Sequence, residues 1–334
     1  MTVSRVINDE ASVRSATREA VQKAIAKLGY RPNRAARSLA AGEQQRIALL
    51  YDNPSTAYLA EFLMGALEEA NRSGLQVVVQ SISDDTGEVG KTIISNLIAG
   101  GFRGFILPPP LCDDQSILDL IVDNGGIAIA VGPGSASGNG ASVLIDEFQA
   151  AYDMTSHIIG LGHRRIGFIV GNPQQVASSL RLEGFQKAMH DAGLEIDERL
   201  VAQGRFTYRS GMDAAEKLLS VEKRPTAIFA SNDDMAAATV AMAHRRHLEV
   251  PTDLTVCGFD DTDLARSVWP ELTTIRQPIR EMTAWAVRTA ATMLRSKRGT
   301  SAASPEAHVM PYELIRRDSD TAPSLLHEKR PFRS

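Results

Sequence analysis

The stretch "RIALLYDNPSTAYLAEFLMGALEEANRSGLQVVVQSI", residues 46–82, holds two kinds of hydrophobic pattern in sequence. "RIALLY" (46–51) is a continuous apolar run and reads as a buried strand. "TAYLAEFLMGALEEANRSG" (56–74) carries its apolar residues at helical spacing and stops at a glycine. "LQVVVQSI" (75–82) returns to a continuous run. A strand covered on both faces has no polar alternation, so two such runs joined by a helix read as a parallel β-α-β crossover.

The same unit recurs outward from this stretch. A helix around "VGKTIISNLIAGG" leads to "FRGFILPP" (102–109), and "SILDLIVDNGG" (116–126) leads to "IAIAVG" (127–132). After the Gly/Ser-rich loop "GPGSASGNGASV" (132–143) the alternation restarts with "VLIDE", a helix over 148–161 and "RRIGFIVG" (164–171). A helix over 177–192, "RLVAQG" (199–204), a helix over 210–220 and "PTAIFAS" (225–231) follow. A helix over 233–247 and "LTVCGFDD" (254–261) complete the series. Two similar sets of units predict an α/β architecture of two doubly wound parallel-sheet lobes with a cleft between them. A helix over 279–297 and a last strand near "HVMPYELIRR" (308–317) complete the lobes. The tail 318–334 shows no periodicity and is expected to be disordered.

Composition is that of an ordinary globular chain, with 334 residues, 43% hydrophobic and 23% charged. No apolar run reaches the roughly 18 residues of a membrane span, and no secretory pattern opens the sequence, so a cytoplasmic location and no membrane partner are expected. Cys112 and Cys257 lie in separate apolar runs and read as buried small hydrophobes. The net charge of −4 conceals an asymmetry, since residues 1–46 carry +5 and the remainder −9. A basic end on an acidic body suits phosphate binding by that end alone. No HExxH, P-loop, CxxC or GxSxG pattern is present, so neither a cofactor nor a metal site is expected and an enzyme is disfavoured. The pair in "HRRH" (244–247) reads as a solvated helix face.

Ligands of open α/β sheets sit beyond the carboxyl ends of the strands. That rule selects Asp52 to Tyr58, Pro108 to Pro110, Asn172 to Arg181, Ser231 to Asp234 and Gly258 to Asp263, several of which are polar or aromatic beyond what packing needs.

Ahead of the lobes, "SATREAVQKAIAKLGY" (15–30) reads as a helix stopped by Gly29. "TVSRVIN" before it reads as a short helix with Ser4 and Arg5 outward, and "NRAARSL" starts another with Asn33 as its N-cap. Together, "TVSRVIN…TREAVQKAIAKLGYRPNRAARSL" resembles the DNA-binding head of the lactose-repressor (LacI/GalR) family of bacterial transcription regulators. "LGHRRIGFIVG", "SNDDMAAATVAM", "VPTDLTVCGFDD" and "PELTTIRQP" resemble that family's effector-binding core in the same order. The resemblance spans residues 1 to 317.

The resemblance implies a helix-turn-helix head and hinge over 1–45, with a hinge helix at about 33–41. It implies a core over 46–317 of the two-lobed kind shared with periplasmic sugar receptors. The N-lobe would hold about 46–145 and 278–305, the C-lobe about 146–277 and 306–317, with the chain crossing between them near 146, 277 and 306. It implies operator DNA as partner, with Thr2, Ser4 and Arg5 on the recognition helix, Asn8 at a phosphate, Asn33 and Arg37 at the backbone or the minor-groove edges, and Leu39 as the minor-groove wedge. Effector contacts carried over are Tyr58, Leu59, Arg181, Phe206, Asn232, Asp260 and Gln277. The effector would be a sugar, with purines and other small metabolites as alternatives, the assembly a homodimer, and the outcome repression controlled by that effector. Asp146 is either a further contact or a helix cap.

The sequence departs from the family at its start, where roughly 17 residues of a first helix and turn would precede Met1. A chain lacking them is expected to bind operator poorly, because a helix of about seven residues is unstable alone in water. A cytoplasmic sugar-binding protein that has lost DNA binding is therefore the alternative reading.

Overall fold

A computed structural model describes residues 6, 14–28, 46–82, 88–135, 140–295 and 307–323. The chain divides into two compact units, Met1–Gln44 and Gln45–Ser334. In the first, helix α1 (Ser15–Leu28) opens with the Arg14 carbonyl accepting from the N–H groups of Thr17 and Arg18, each at 3.0 Å. Val6 is helical and buried. Thr2, Ser4, Arg5, Asn8, Asn33, Arg37 and Leu39 lie outside the described residues.

The second unit holds two six-stranded sheets with helices on both faces. β1 (Arg46–Tyr51), β2 (Gln76–Ser81), β3 (Gly104–Leu107), β4 (Ile127–Val131), β5 (Ala141–Leu144) and β11 (Ala307–Val309) form the first, in the order β11-β5-β4-β3-β1-β2 and parallel throughout. The second is ordered β12-β10-β9-β8-β6-β7, from β6 (Ile166–Val170), β7 (Val201–Gln203), β8 (Ala227–Ala230), β9 (Thr255–Asp260), β10 (Thr273–Arg276) and β12 (Glu313–Ile315). Only β12 runs antiparallel. Continuous burial of β1 at Ile47 to Leu50, and of all of β3 and β8, explains the unbroken apolar runs.

Helices α2 (Thr56–Ser73), α3 (Glu88–Ala99), α4 (Gln115–Asp123) and α10 (Ile279–Arg295) flank the first sheet; α5 (Glu147–Gly160), α6 (Val176–Asp191), α7 (Tyr208–Leu219), α8 (Asp233–Arg245) and the short α9 (Asp263–Ser267) belong with the second. Two glycines set helix spacing. A Cβ on Gly65 of α2 would stand 2.4 Å from the Arg280 carbonyl oxygen on α10, and one on Gly184 of α6 would stand 2.2 Å from that of Phe148 on α5.

The strand order reverses beside β1 in the first sheet and beside β6 in the second, and a crevice opens outside the carboxyl ends at such switch points. The chain passes from one sheet to the other after β5 and after β10. The third passage comes later than 306. "HVMPYELIRR" is two strands rather than one, since Ala307–Val309 pairs with β5 and Glu313–Ile315 pairs with β10. The Met310 N–H still bonds the Leu144 carbonyl at 2.8 Å, so the switch occurs around Pro311, which has no N–H to continue a ladder. The tail also differs from expectation. Ser319 and Asp320 are buried, Ser319 Oγ donates to the Val256 carbonyl at 2.5 Å, and Asp320 Oδ1 accepts from Thr273 Oγ1 at 2.5 Å. Small polar residues that satisfy a sheet's flank leave no hydrophobic period to read.

Candidate functional site

The crevice is built from helix starts. Beyond β1, Asn53 Oδ1 accepts from the Ser55 N–H at 2.9 Å, and Ser55 Oγ caps α2 by accepting from the Tyr58 N–H at 3.2 Å. That cap places the Tyr58 ring in the first helical turn, buried and stacked on Phe62. Burial pushes the Tyr58 phenol well above its usual pKa. Ser55 Oγ also donates to Asp234 Oδ2 at 2.6 Å, a buried bond from the first lobe to the second.

From the second lobe, Asn232 caps α8, its Oδ1 accepting from the Met235 N–H at 3.0 Å while Nδ2 donates to the Phe206 carbonyl at 3.1 Å. Phe206 sits in the left-handed region at φ 62°, and its ring lies where a Cβ on Gly171 would be, 2.0 Å away. Position 171 therefore has to be glycine for that ring to point inward.

Arg181, 4% exposed, projects from α6 into the same space. Its Nε donates to Glu147 Oε2 at 2.7 Å, its Nη1 donates to the Ser231 carbonyl at 2.5 Å, and Asp260 Oδ1 lies 3.8 Å from Nη1. The guanidinium carbon rests 3.6 Å from the centroid of the Phe259 ring, a cation–π contact. Burial works against its charge, but Glu147 and Asp260 outweigh it and hold its pKa above the usual value. Asp260 has φ 114° and accepts from Gln277 Nε2 at 2.5 Å; burial raises its pKa well above the carboxylate range, against the opposing pull of Arg181. Behind it, Asp233 accepts from the Thr274 hydroxyl at 2.7 Å and from the Thr262 N–H at 2.8 Å, and burial pushes it up to about 7.

These side chains leave about 30 Å³ of space between the lobes, room for roughly two waters. Tyr58, Arg181, Phe206, Asn232, Asp260 and Gln277 all line it. Leu59 is half-buried on α2 and does not. Asp146 caps α5, accepting from the Gln149 N–H at 2.9 Å. Sequence reasoning did not single out Ser55, Glu147 or Gln175. Ser55 and Gln175 fall within the stretches selected by the strand-end rule; Glu147 follows a capping Asp and carries no signal of its own. The Gln175 Nε2 is buried with no hydrogen-bond partner among the described residues. The arrangement offers carboxylate acceptors, amide and guanidinium donors and aromatic faces, which together suit a ring bearing hydroxyl groups. Among the described residues no group of three or more His, Cys, Asp or Glu is placed to hold a metal ion, and no helix is long and apolar enough to cross a membrane.

Comparison with known proteins agrees with this fold. The profile of bacterial regulatory proteins of the lacI family matches residues 1–33, and that of a periplasmic binding protein-like domain matches residues 155–319. The HTH-type transcriptional regulator DegA of Bacillus subtilis (strain 168) is 35% identical over 320 residues, covering 95% of this chain and 93% of its own. Among solved structures, a transcriptional regulator CelR–cellobiose complex superposes with a TM-score of 0.75 at 30% identity, covering 95% of this chain and 94% of that one. A Lac repressor dimer bound to operator and the anti-inducer ONPF superposes with a TM-score of 0.77 at 27% identity, covering 96% and 95%.

Proposed function

The chain belongs to the lacI family of bacterial regulatory proteins, and from that premise we propose that it is a transcriptional repressor whose hold on operator DNA is set by a sugar bound between its two lobes. The observation that carries the effector half is the convergence of Tyr58, Arg181, Phe206, Asn232, Asp260 and Gln277, drawn from both sheets, on one polar cleft. The cellobiose held by the CelR relative supports a sugar as the ligand class.

A ligand touching both lobes favours one closure angle, and it shifts the DNA-binding equilibrium only by its differential affinity for the two states. Ser55 and Asp234, bonded across the cleft, are part of what that closure makes or breaks. On the DNA side, Arg5 would read a guanine edge, Thr2 and Ser4 would sit beside it, Asn8, Asn33 and Arg37 would hold the backbone or the minor groove, and Leu39 would wedge a base step. Two heads reading adjacent half-sites call for a homodimer. The effector is bound and released unchanged, so no catalytic residue belongs to this reading.

Fluorescence anisotropy tests it, with labelled duplexes from the DNA upstream of the neighbouring genes, at a fixed ionic strength of about 0.15 M. One duplex should bind in preference to random sequence, and at least one sugar should change that affinity by about 5- to 150-fold. Affinity for every duplex that no sugar alters would remove the effector half of the proposal.

A further inference from the structure

We infer that the cleft is built for an uncharged ligand and against an anion: its effector is a neutral polyhydroxylated molecule, and the phosphorylated or carboxylated form of that molecule is excluded. This deepens the effector reading above and rests on it.

Helix N-termini attract anions, because their first N–H groups are unpaired and the peptide dipoles add up there. Four helices begin at this cleft, and each start already faces a carboxylate of the chain. Glu147 occupies the first turn of α5, and Asp233 and Asp234 occupy that of α8. At α2 the capping Ser55 is bonded to Asp234. α6 has no acidic residue in its first turn and no side-chain cap, yet Asp113 of the other lobe, whose Oδ1 accepts from the Gly134 N–H at 2.9 Å, lies close enough to that start for the Val176 N–H to favour its ionised form. Asp260 adds a fifth carboxylate. Against these stands Arg181, the one cation among the described lining residues, itself 2.7 Å from Glu147 and 3.8 Å from Asp260. Even with Asp260 protonated, the Arg181–Glu147 pair carries no net charge, so no positive potential is left over for a phosphate.

Donors that a hydroxyl can satisfy do remain. A guanidinium has five N–H groups, and two hydrogen bonds within the chain occupy Arg181. The Gln175 Nε2 is buried without a partner among the described residues, and Asn53 Nδ2 makes only a long 3.4 Å bond to the Pro109 carbonyl. A hydroxyl both donates and accepts, so it satisfies Glu147 and Asp260 as readily as it satisfies Gln175. A phosphate or carboxylate only accepts, and would set like charge against Glu147.

Isothermal titration and thermal-shift measurements on the full chain decide it. The probes are glucose, galactose, ribose and cellobiose, each beside its phosphate ester and its aldonic acid. The tightest binder should be a neutral sugar, with its phosphate ester and acid weaker by roughly a hundredfold or more. Glu147→Gln, which releases the charge of Arg181, should narrow that gap by about tenfold. Asp113→Asn, at a half-exposed position, makes the same test should Glu147→Gln fail to fold. An anion that binds as tightly as its neutral parent overturns the inference, and so does a gap left unchanged by the folded variants. A panel in which no sugar and no anion binds removes the effector reading beneath it, a separate failure from an anion that does.

Discussion

Arg181 shows how much one side chain can carry. Glu147 and Asp260 are buried beside it, and neither has another cation within ion-pair distance among the described residues. Arg181→Met removes the charge and leaves Glu147 ionised beside Asp260 in a dry site, where an uncompensated buried charge costs about 3–5 kcal/mol. Chemical denaturation should show that loss, and titration should show effector binding abolished; a variant as stable as the parent would mean water reaches these carboxylates freely. Arg181, Phe206, Asn232 and Asp260 were legible because each sits in a motif such as "SLRLEGF" or "GFDD" whose family context is specific. Glu147 was not, since its importance depends on a partner 34 residues away in sequence. Gln175 was not either, because an unpaired amide nitrogen is a property of its surroundings and not of its residue type.

The elements follow from local pattern wherever the pattern is strong. β1, β3 and β8 are unbroken apolar runs, and α2 starts at a Ser cap and ends at Gly74 in the left-handed region. What joins elements is less visible. Gly184 looks like an ordinary weak point in a helix, yet it lets α6 lie against the backbone of α5. Gly184→Ala should therefore destabilise, despite the better helix propensity of alanine, by about 1–3 kcal/mol from overpacking. An urea midpoint that rises instead would show that the two helices can part without loss. The two short strands around Pro311 escaped notice for the opposite reason: three residues cannot display a period, and only their pairing partners distinguish them.

For the molecule as a whole, a cluster of buried carboxyls ties stability to pH. Asp233 is pushed up to about 7, and Asp113, Asp234 and Asp260 are raised in the same direction, chiefly by burial. A carboxyl whose folded pKa exceeds its unfolded value of about 3.9 holds its proton more tightly in the folded chain. Its stabilising contribution is complete below pH 4 and is lost as pH rises through the folded pKa. The melting temperature should accordingly fall between about pH 5 and pH 8, and Asp233→Asn should flatten that slope. A slope unchanged in the variant would assign the effect to other groups. The amino-acid order alone determined two parallel α/β lobes, a basic leading segment and the strand ends where a ligand belongs, because hydrophobic period and turn chemistry act over a few neighbouring residues. Only the tertiary structure decided which carboxylate answers which helix start, which amide is left without a partner, and where the chain last changes sheets. Those depend on contacts such as Ser55 with Asp234, 179 residues apart, whose energy exists only once burial has removed the competing water.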